Sequence, residues 1–290
     1  MGKIIWLASY PKSGNTWLRA FLHNLLRNPK DAYDLNKMSD FTLGDSTGIL
    51  YQKFLRKPVR EMTPEEISVI RPKVQKMLTE AMPDNIFVKT HNALVSHIDR
   101  PLIDMACTAG AIYVVRNPFD MVISHADHYG RSIDESIRIT ATEEAVVVTG
   151  EDNVYEIHCS WSRHVESWTA QPHRALHVMR YEDMLARPME TFSGLVQFLH
   201  LPAEAERIRR SIELSSFDSL RKLEEEQGFI ERSKSQKRFF RRGKAGGWRE
   251  QLTPAQVAAI VAAHEPQMRR FGYWPVADWA PSLAAAAANA

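Results

Sequence analysis

Two cysteines, Cys107 and Cys159, are all that 290 residues contain. Their wide separation excludes a disulfide framework and a Cys-rich metal site, and it leads us to expect a reduced, cytoplasmic setting. No apolar run approaches the roughly 20 residues of a membrane-spanning helix. The N-terminus opens into a strand pattern instead of a basic segment followed by an apolar one, so no secretory leader is expected. Trp6 stands where a myristoylation signal needs Ser or Thr. A net charge of +2 is too small to argue for nucleic acid or membrane as a partner. Basic residues therefore matter only where they cluster.

What is present is an ordinary globular composition, 44% hydrophobic and 25% charged, in a chain long enough for one large core. We expect one domain over 1–275 and a flexible, low-complexity tail over 276–290. Short apolar runs at 3–9, 85–90, 111–116 and 175–180 alternate with helically spaced segments. This pattern predicts an α/β fold, a single domain whose central, mainly parallel sheet is flanked by helices. Trp17, Leu18, Phe21, Leu22, Leu25 and Leu26 form one helical stripe that Asn28-Pro29 ends. Thr63-Pro64-Glu65-Glu66 and Thr253-Pro254-Ala255-Gln256 each read as an N-cap, a Pro at N1 and an acceptor at N3, so each should open a helix. Residues 30–60 and 130–155 lack clear periodicity and read as excursions that lie over a site.

Four segments carry chemistry. "YPKSGNTW" joins the first strand to the first helix, where free N–H groups and the helix dipole attract an anion; Lys12, Ser13 and Thr16 add a charge and two hydroxyls. An ATP-type loop would place its lysine after the second glycine with a hydroxyl for magnesium beside it, whereas here Lys12 precedes Gly14. "FVKTHNAL" puts Lys89 and His91 at a strand's carboxyl end, where ligands of open α/β sheets bind, and a neutral histidine there can take a proton from a hydroxyl. "AIYVVRNPFDMVIS" ends a strand at Arg116 and reaches Ser124 two helical turns later. That pair suits a second phosphate, although Arg116 pairing with Asp120 is the alternative. An ATP-type enzyme more often has an Asp at such a strand end, so no metal site is expected. "RSKSQKRFFRRGKAGGWRE", residues 232–250, clusters Lys and Arg with Phe239-Phe240 and glycines. It suits wrapping one small polyanion more than a polymer.

Together, in this order, the segments resemble the PAPS-dependent sulfotransferase family, which moves a sulfuryl group from 3′-phosphoadenosine-5′-phosphosulfate (PAPS) to an acceptor and releases adenosine 3′,5′-bisphosphate (PAP). "RYEDML" at 180–185 and "SSF" at 215–217 also match, so the resemblance spans residues 3 to about 275. It implies that the turn is a P-loop-like phosphosulfate-binding loop. In that scheme Lys12 meets the phosphosulfate bridge, and Ser13, Gly14, Asn15 and Thr16 hold the 5′-phosphate. Arg116, Ser124, Arg241, Arg242 and Gly243 hold the 3′-phosphate, while Trp17, Tyr181, Ser215 and Phe217 serve the adenine side. His91 is the general base of an in-line displacement and Lys89 supports the transferring group.

Several positions depart from the family pattern. Asn15 replaces a common Thr, Arg242 a common Lys, and Gly247 the Asp that usually precedes the tryptophan. After "KTH" the familiar Leu-Pro is Asn92-Ala93. Around Arg249, Thr253, Pro254 and Ala258 the usual dimer segment is incomplete, which leaves monomer and homodimer open. His125, His128 and Tyr129 are candidates for the acceptor pocket, with packing the duller alternative. The expected acceptor is a small alcohol, phenol or natural product, with neither nucleic acid nor membrane as a partner. Two competing readings are a kinase with a degenerate loop, which requires magnesium and ATP, and a non-catalytic protein that uses 232–250 on nucleic acid or anionic lipid.

Overall fold

Alternating Ile- and Val-rich runs with amphipathic segments gives a parallel sheet covered on both faces. The computed structural model describes residues 2–31, 34–81 and 83–276. Its strands are β1 (Ile4–Ser9), β2 (Leu43–Gly44), β3 (Ile86–Thr90), β4 (Ser96–His97), β5 (Arg100–Pro101), β6 (Thr108–Val115), β7 (Val146–Val147), β8 (Glu156–Ile157) and β9 (Leu176–Arg180). The main sheet has the order β2-β3-β1-β6-β9, and every pair in it is parallel. β4 with β5 and β7 with β8 form small antiparallel pairs.

The helices are α1 (Asn15–Arg27), α2 (Gly48–Leu55), α3 (Pro64–Glu80), α4 (Pro118–Tyr129), α5 (Ile133–Ala141), α6 (Trp161–Thr169), α7 (Tyr181–Ala186), α8 (Pro188–Phe198), α9 (Ala205–Leu214), α10 (Phe217–Gln227) and α11 (Pro254–Arg270). Successive residues of β1 point to opposite faces. Trp6 and Ala8 join a core with Val74 of α3, Phe119 of α4, Val165 of α6 and Val257 of α11, while Leu7 joins Leu18 and Phe21 of α1 and Phe192 of α8. Each of these fully buried large side chains stabilises the fold by about 1.5–3 kcal/mol. Both Thr-Pro sequences open helices with complete capping boxes, Thr63 with Glu66 and Thr253 with Gln256. α1 ends at Asn28, held left-handed at φ 46°, as the Asn-Pro pair implied.

The two segments without clear periodicity are more regular than the sequence suggested. Residues 130–155 contain α5, opened by a Ser132–Glu135 capping box, and residues 30–60 contain β2 and α2. They clasp each other: Gly48 N–H donates to Asp152 O at 2.7 Å and Val154 N–H to Ser46 O at 2.9 Å. Cys107 and Cys159 are both buried free thiols. Of the expected tail, Val276 packs against the core, and 277–290 lie outside the described residues.

Candidate active site

Leaving β1, the chain turns through Lys12 in the left-handed region at φ 66° and then Gly14 at φ 108°. For a lysine this conformation costs energy, so the surroundings must hold it, and the Lys12 carbonyl is held by a hydrogen bond from Arg116 Nη1 at 2.9 Å. Gly14 is required twice over, by its φ and because a Cβ there would lie 2.7 Å from the Tyr181 ring. Beyond it α1 begins, with its first N–H groups directed at the mouth of the turn.

A cavity of about 860 Å³ opens at the carboxyl ends of β1, β3 and β6. Lys12, Gly14, Asn15, Thr16 and Trp17 line it from the first loop, and Lys89 and His91 from the end of β3. Arg116 and Ser124 line it from the β6–α4 unit, joined by Tyr181, Phe217, Arg241, Arg242 and Gly243. Two expected residues are not brought to it. Ser215 is fully buried and donates its hydroxyl to Ser211 O at 2.7 Å, capping α9. Ser13 is also fully buried, with its N–H on Tyr10 O at 3.3 Å. Asn15 reaches the cavity, but its side-chain N–H groups donate to Leu7 O at 2.8 Å and Ser9 Oγ at 3.3 Å and so fasten α1 to β1; its backbone N–H is the donor that remains for an anion. His125 packs away from the cavity against Ser136 Oγ at 3.1 Å, whereas His128 and Tyr129 line it.

Positive charge is concentrated at the cavity. Burial, then Arg116, then Lys89 push Lys12 down to about 7. Its Nζ sits 3.9 Å over the Phe239 ring and 3.4 Å from His128 Nδ1. That nitrogen carries a proton of its own for Gln236 Oε1 at 2.9 Å, because Gln236 Nε2 donates to Asp127 Oδ2 at 2.7 Å. Arg116 does not pair with Asp120; its guanidinium lies 4.3 Å over Tyr181, and its Nε is buried without a protein partner. Buried Trp17 Nε1 is likewise unpartnered. Crowded cations and unsatisfied donors are the features a bound polyanion would relieve.

His91 is aimed by its surroundings. Its Nδ1 lies 2.8 Å from Ser9 O, so Nδ1 carries the proton and Nε2 keeps its lone pair. Its carbonyl accepts from His164 Nε2 at 3.1 Å, and Tyr113 OH donates to His164 Nδ1 at 2.8 Å. Next door, Asn92 donates to Asp45 Oδ2 at 3.0 Å and accepts from Ile157 N–H at 2.8 Å, while Trp168 Nε1 donates to the Asn92 carbonyl at 3.0 Å. Asp45 is paired in turn with buried Arg71 at 3.4 Å. Thus the 30–60 excursion braces the His91 segment from behind instead of lining the cavity. Burial, then the Lys89 charge, push His91 down to about 3, which keeps it neutral.

The C-terminal basic segment wraps the opposite end. Asp120 accepts Gly246 N–H at 2.7 Å and Trp248 N–H at 3.0 Å, and Glu224 accepts Phe239 N–H at 2.7 Å and Phe240 N–H at 2.9 Å. Gly243 lies so close to Phe217 that a Cβ would come within 2.2 Å of the ring. The sequence offers Asp120 only as a partner for Arg116 and gives no role to Glu224. Asp120's place in the first turn of α4, four residues after Arg116, is the one available signal. Among the described residues no group of three or more His, Cys, Asp or Glu is placed to hold a metal, and no helix is long and apolar enough to cross a membrane.

Residues 3–272 match the family model described as the sulfotransferase domain. Cytosolic sulfotransferase 12 of Arabidopsis thaliana is 27% identical over 281 residues, covering 92% of this chain and 78% of that protein. Flavonol 3-sulfotransferase of Flaveria bidentis is 25% identical over 272 residues, covering 88% and 78%. Among solved structures, a mouse sulfotransferase complexed with PAP has a similar fold, with a TM-score of 0.60 at 18% identity, covering 92% of this chain and 85% of that one.

Proposed function

The chain belongs to the sulfotransferase family, and we propose that it transfers a sulfuryl group from PAPS to a hydroxyl of a small alcohol, phenol or natural-product acceptor, releasing PAP. The observation that carries this reading is the placement of a neutral, tautomer-fixed His91 in the same cavity as Lys12, Lys89 and Arg116. When bound, the donor supplies an activated sulfuryl group on a phosphosulfate bridge.

The protein's own part is alignment, charge stabilisation and proton removal. Lys12, beside the free N–H groups of α1, offsets the negative charge left on the departing phosphate. Gly14, Asn15 and Thr16 hold the 5′-phosphate through the backbone, and Arg116 and Ser124 with Arg241, Arg242 and Gly243 hold the 3′-phosphate. Trp17, Tyr181 and Phe217 form the adenine side. His91 Nε2 takes the proton of the acceptor hydroxyl, and Lys89 supports the transferring group, in an in-line displacement without a covalent enzyme intermediate. The two carboxyl pins, Asp120 and Glu224, hold the basic segment over the donor end. That relatives are named as cytosolic and as flavonol sulfotransferases supports a cytoplasmic enzyme with small hydroxyl acceptors.

An acceptor library incubated with PAPS and a chelator, read by mass, tests the reaction. Sulfated product is expected from the intact protein, with turnover falling at least about a hundredfold in His91→Ala while PAP still binds. Turnover in His91→Ala near that of the intact protein would remove His91 from the role of base.

A further inference from the structure

The end of the cavity that holds His91 contains a carboxylate with no part in the scheme above. Glu156 lines the cavity from β8, and its Oε2 accepts from His158 Nε2 at 3.0 Å. Its Oε1 makes no hydrogen bond among the described residues. Burial is the largest single influence and pushes the Glu156 carboxyl up. The hydrogen bond from His158 and the charges around the group together outweigh burial and hold it below the usual carboxylate range, so it is ionised. The other acidic groups of the cavity have partners or lie elsewhere. Asp120 is committed to two amides, Glu231 is paired with Arg19 at 2.6 Å, and Glu250 belongs to the C-terminal loop of the donor end.

Beside Glu156 the wall carries the apolar Val147 and Val154 and, between them in the chain, Asn153. In the β7–β8 hairpin Glu156 stands directly across from Val147, whose neighbour Val148 is 77% exposed, and Val154 also faces the cavity. The same hairpin region is clasped to the β2–α2 segment through Thr47 and Asn153, so carboxylate and valines are held in one place. Beside His91 an acceptor meets two charges, that of Lys89, which faces the transferring group, and that of Glu156, which is the anionic one.

We propose that Glu156 determines acceptor specificity, selecting acceptors that carry an ammonium group on a short apolar body together with the hydroxyl presented to His91. The proposal rests on the sulfotransferase reading for the identity of the reacting hydroxyl, but the Glu156 contact itself is a binding contact. A carboxylate already bonded to His158 through one oxygen offers the other to a cationic donor, and an uncharged tail would leave it desolvated and unpaired.

Three phenols that differ only in the tail provide the test: tyramine, tyrosol and 4-ethylphenol, titrated into the protein by calorimetry with and without saturating PAP. Tyramine is expected to bind about tenfold or more tighter than 4-ethylphenol, with tyrosol between them. Glu156→Gln is expected to bring the ratio close to one. Val147→Lys, which supplies a cation of the protein's own across the hairpin, should do the same without touching the His158 contact. Equal binding of the three tails to the unaltered protein, no binding of tyramine, or a tyramine preference that survives both substitutions overturns the proposal. Failure of PAP to bind counts instead against the donor reading, and the titrations without PAP still decide the role of Glu156.

Discussion

Lys12 is a residue whose chemistry the site alters strongly. Held at φ 66°, buried, and crowded by Arg116 and Lys89, it sits at about 7 where a free lysine would titrate near 10.5. The burden falls on its charged form, so a polyanion that neutralises its neighbours restores the ammonium. Binding above neutral pH must then take up a proton, and affinity must fall as pH rises through about 7. PAP titrated at about pH 8 in buffers of different ionisation enthalpy is expected to show uptake approaching about one proton. Lys12→Arg, whose guanidinium stays charged, should bind with no such uptake. Uptake that persists unchanged in Lys12→Arg would assign the proton to another group. His91 follows the same logic: neutral and pointed by Ser9, it has its lone pair ready, and the negative charge of a bound donor raises its basicity.

At the scale of elements, the site is made by strand ends and by two carboxylates that pin a loop. Asp120 of α4 binds the amides of Gly246 and Trp248, and hydrogen bonds to a charged group contribute about 1.5–3 kcal/mol each. Asp120→Ala should therefore loosen the segment bearing Arg241, Arg242 and Gly243, weakening PAP binding by about tenfold or more and lowering Tm. A lowered Tm with unchanged PAP affinity would show that the pin serves stability alone. Much of this level was legible in the sequence. The apolar runs located four strands of the sheet, and the Thr-Pro capping boxes located α3 and α11. β2, with only two residues, was not legible because it carries too few positions for alternation to register. Helix α5 escaped because its apolar face is short, although Ser132 and Glu135 carried its capping signal. Ser13 and Ser215 fit the motifs by spacing, yet backbone position and helix capping turned both side chains inward, a choice that depends on tertiary packing.

For the whole molecule, a net charge of +2 conceals a strongly divided interior. Cations gather at the carboxyl ends of β1, β3 and β6 and in the C-terminal segment, while Glu156 stands beside His91 and Asp45 lies behind the His91 segment, bonded to Asn92. Order along the chain made the donor end readable, because each motif is local. The end of the cavity proposed for the acceptor was not readable, since Val147, Val154 and Glu156 become a wall only when residues 130–155 are clasped to residues 30–60. The central claim is that the cavity binds an adenosine bisphosphate through Lys12 and Arg116, and calorimetry with PAP in the presence of a chelator tests it most directly. The account expects clear binding by the intact protein and a severe loss in both Lys12→Ala and Arg116→Ala. No binding by the intact protein, or affinity indifferent to both substitutions, would contradict it.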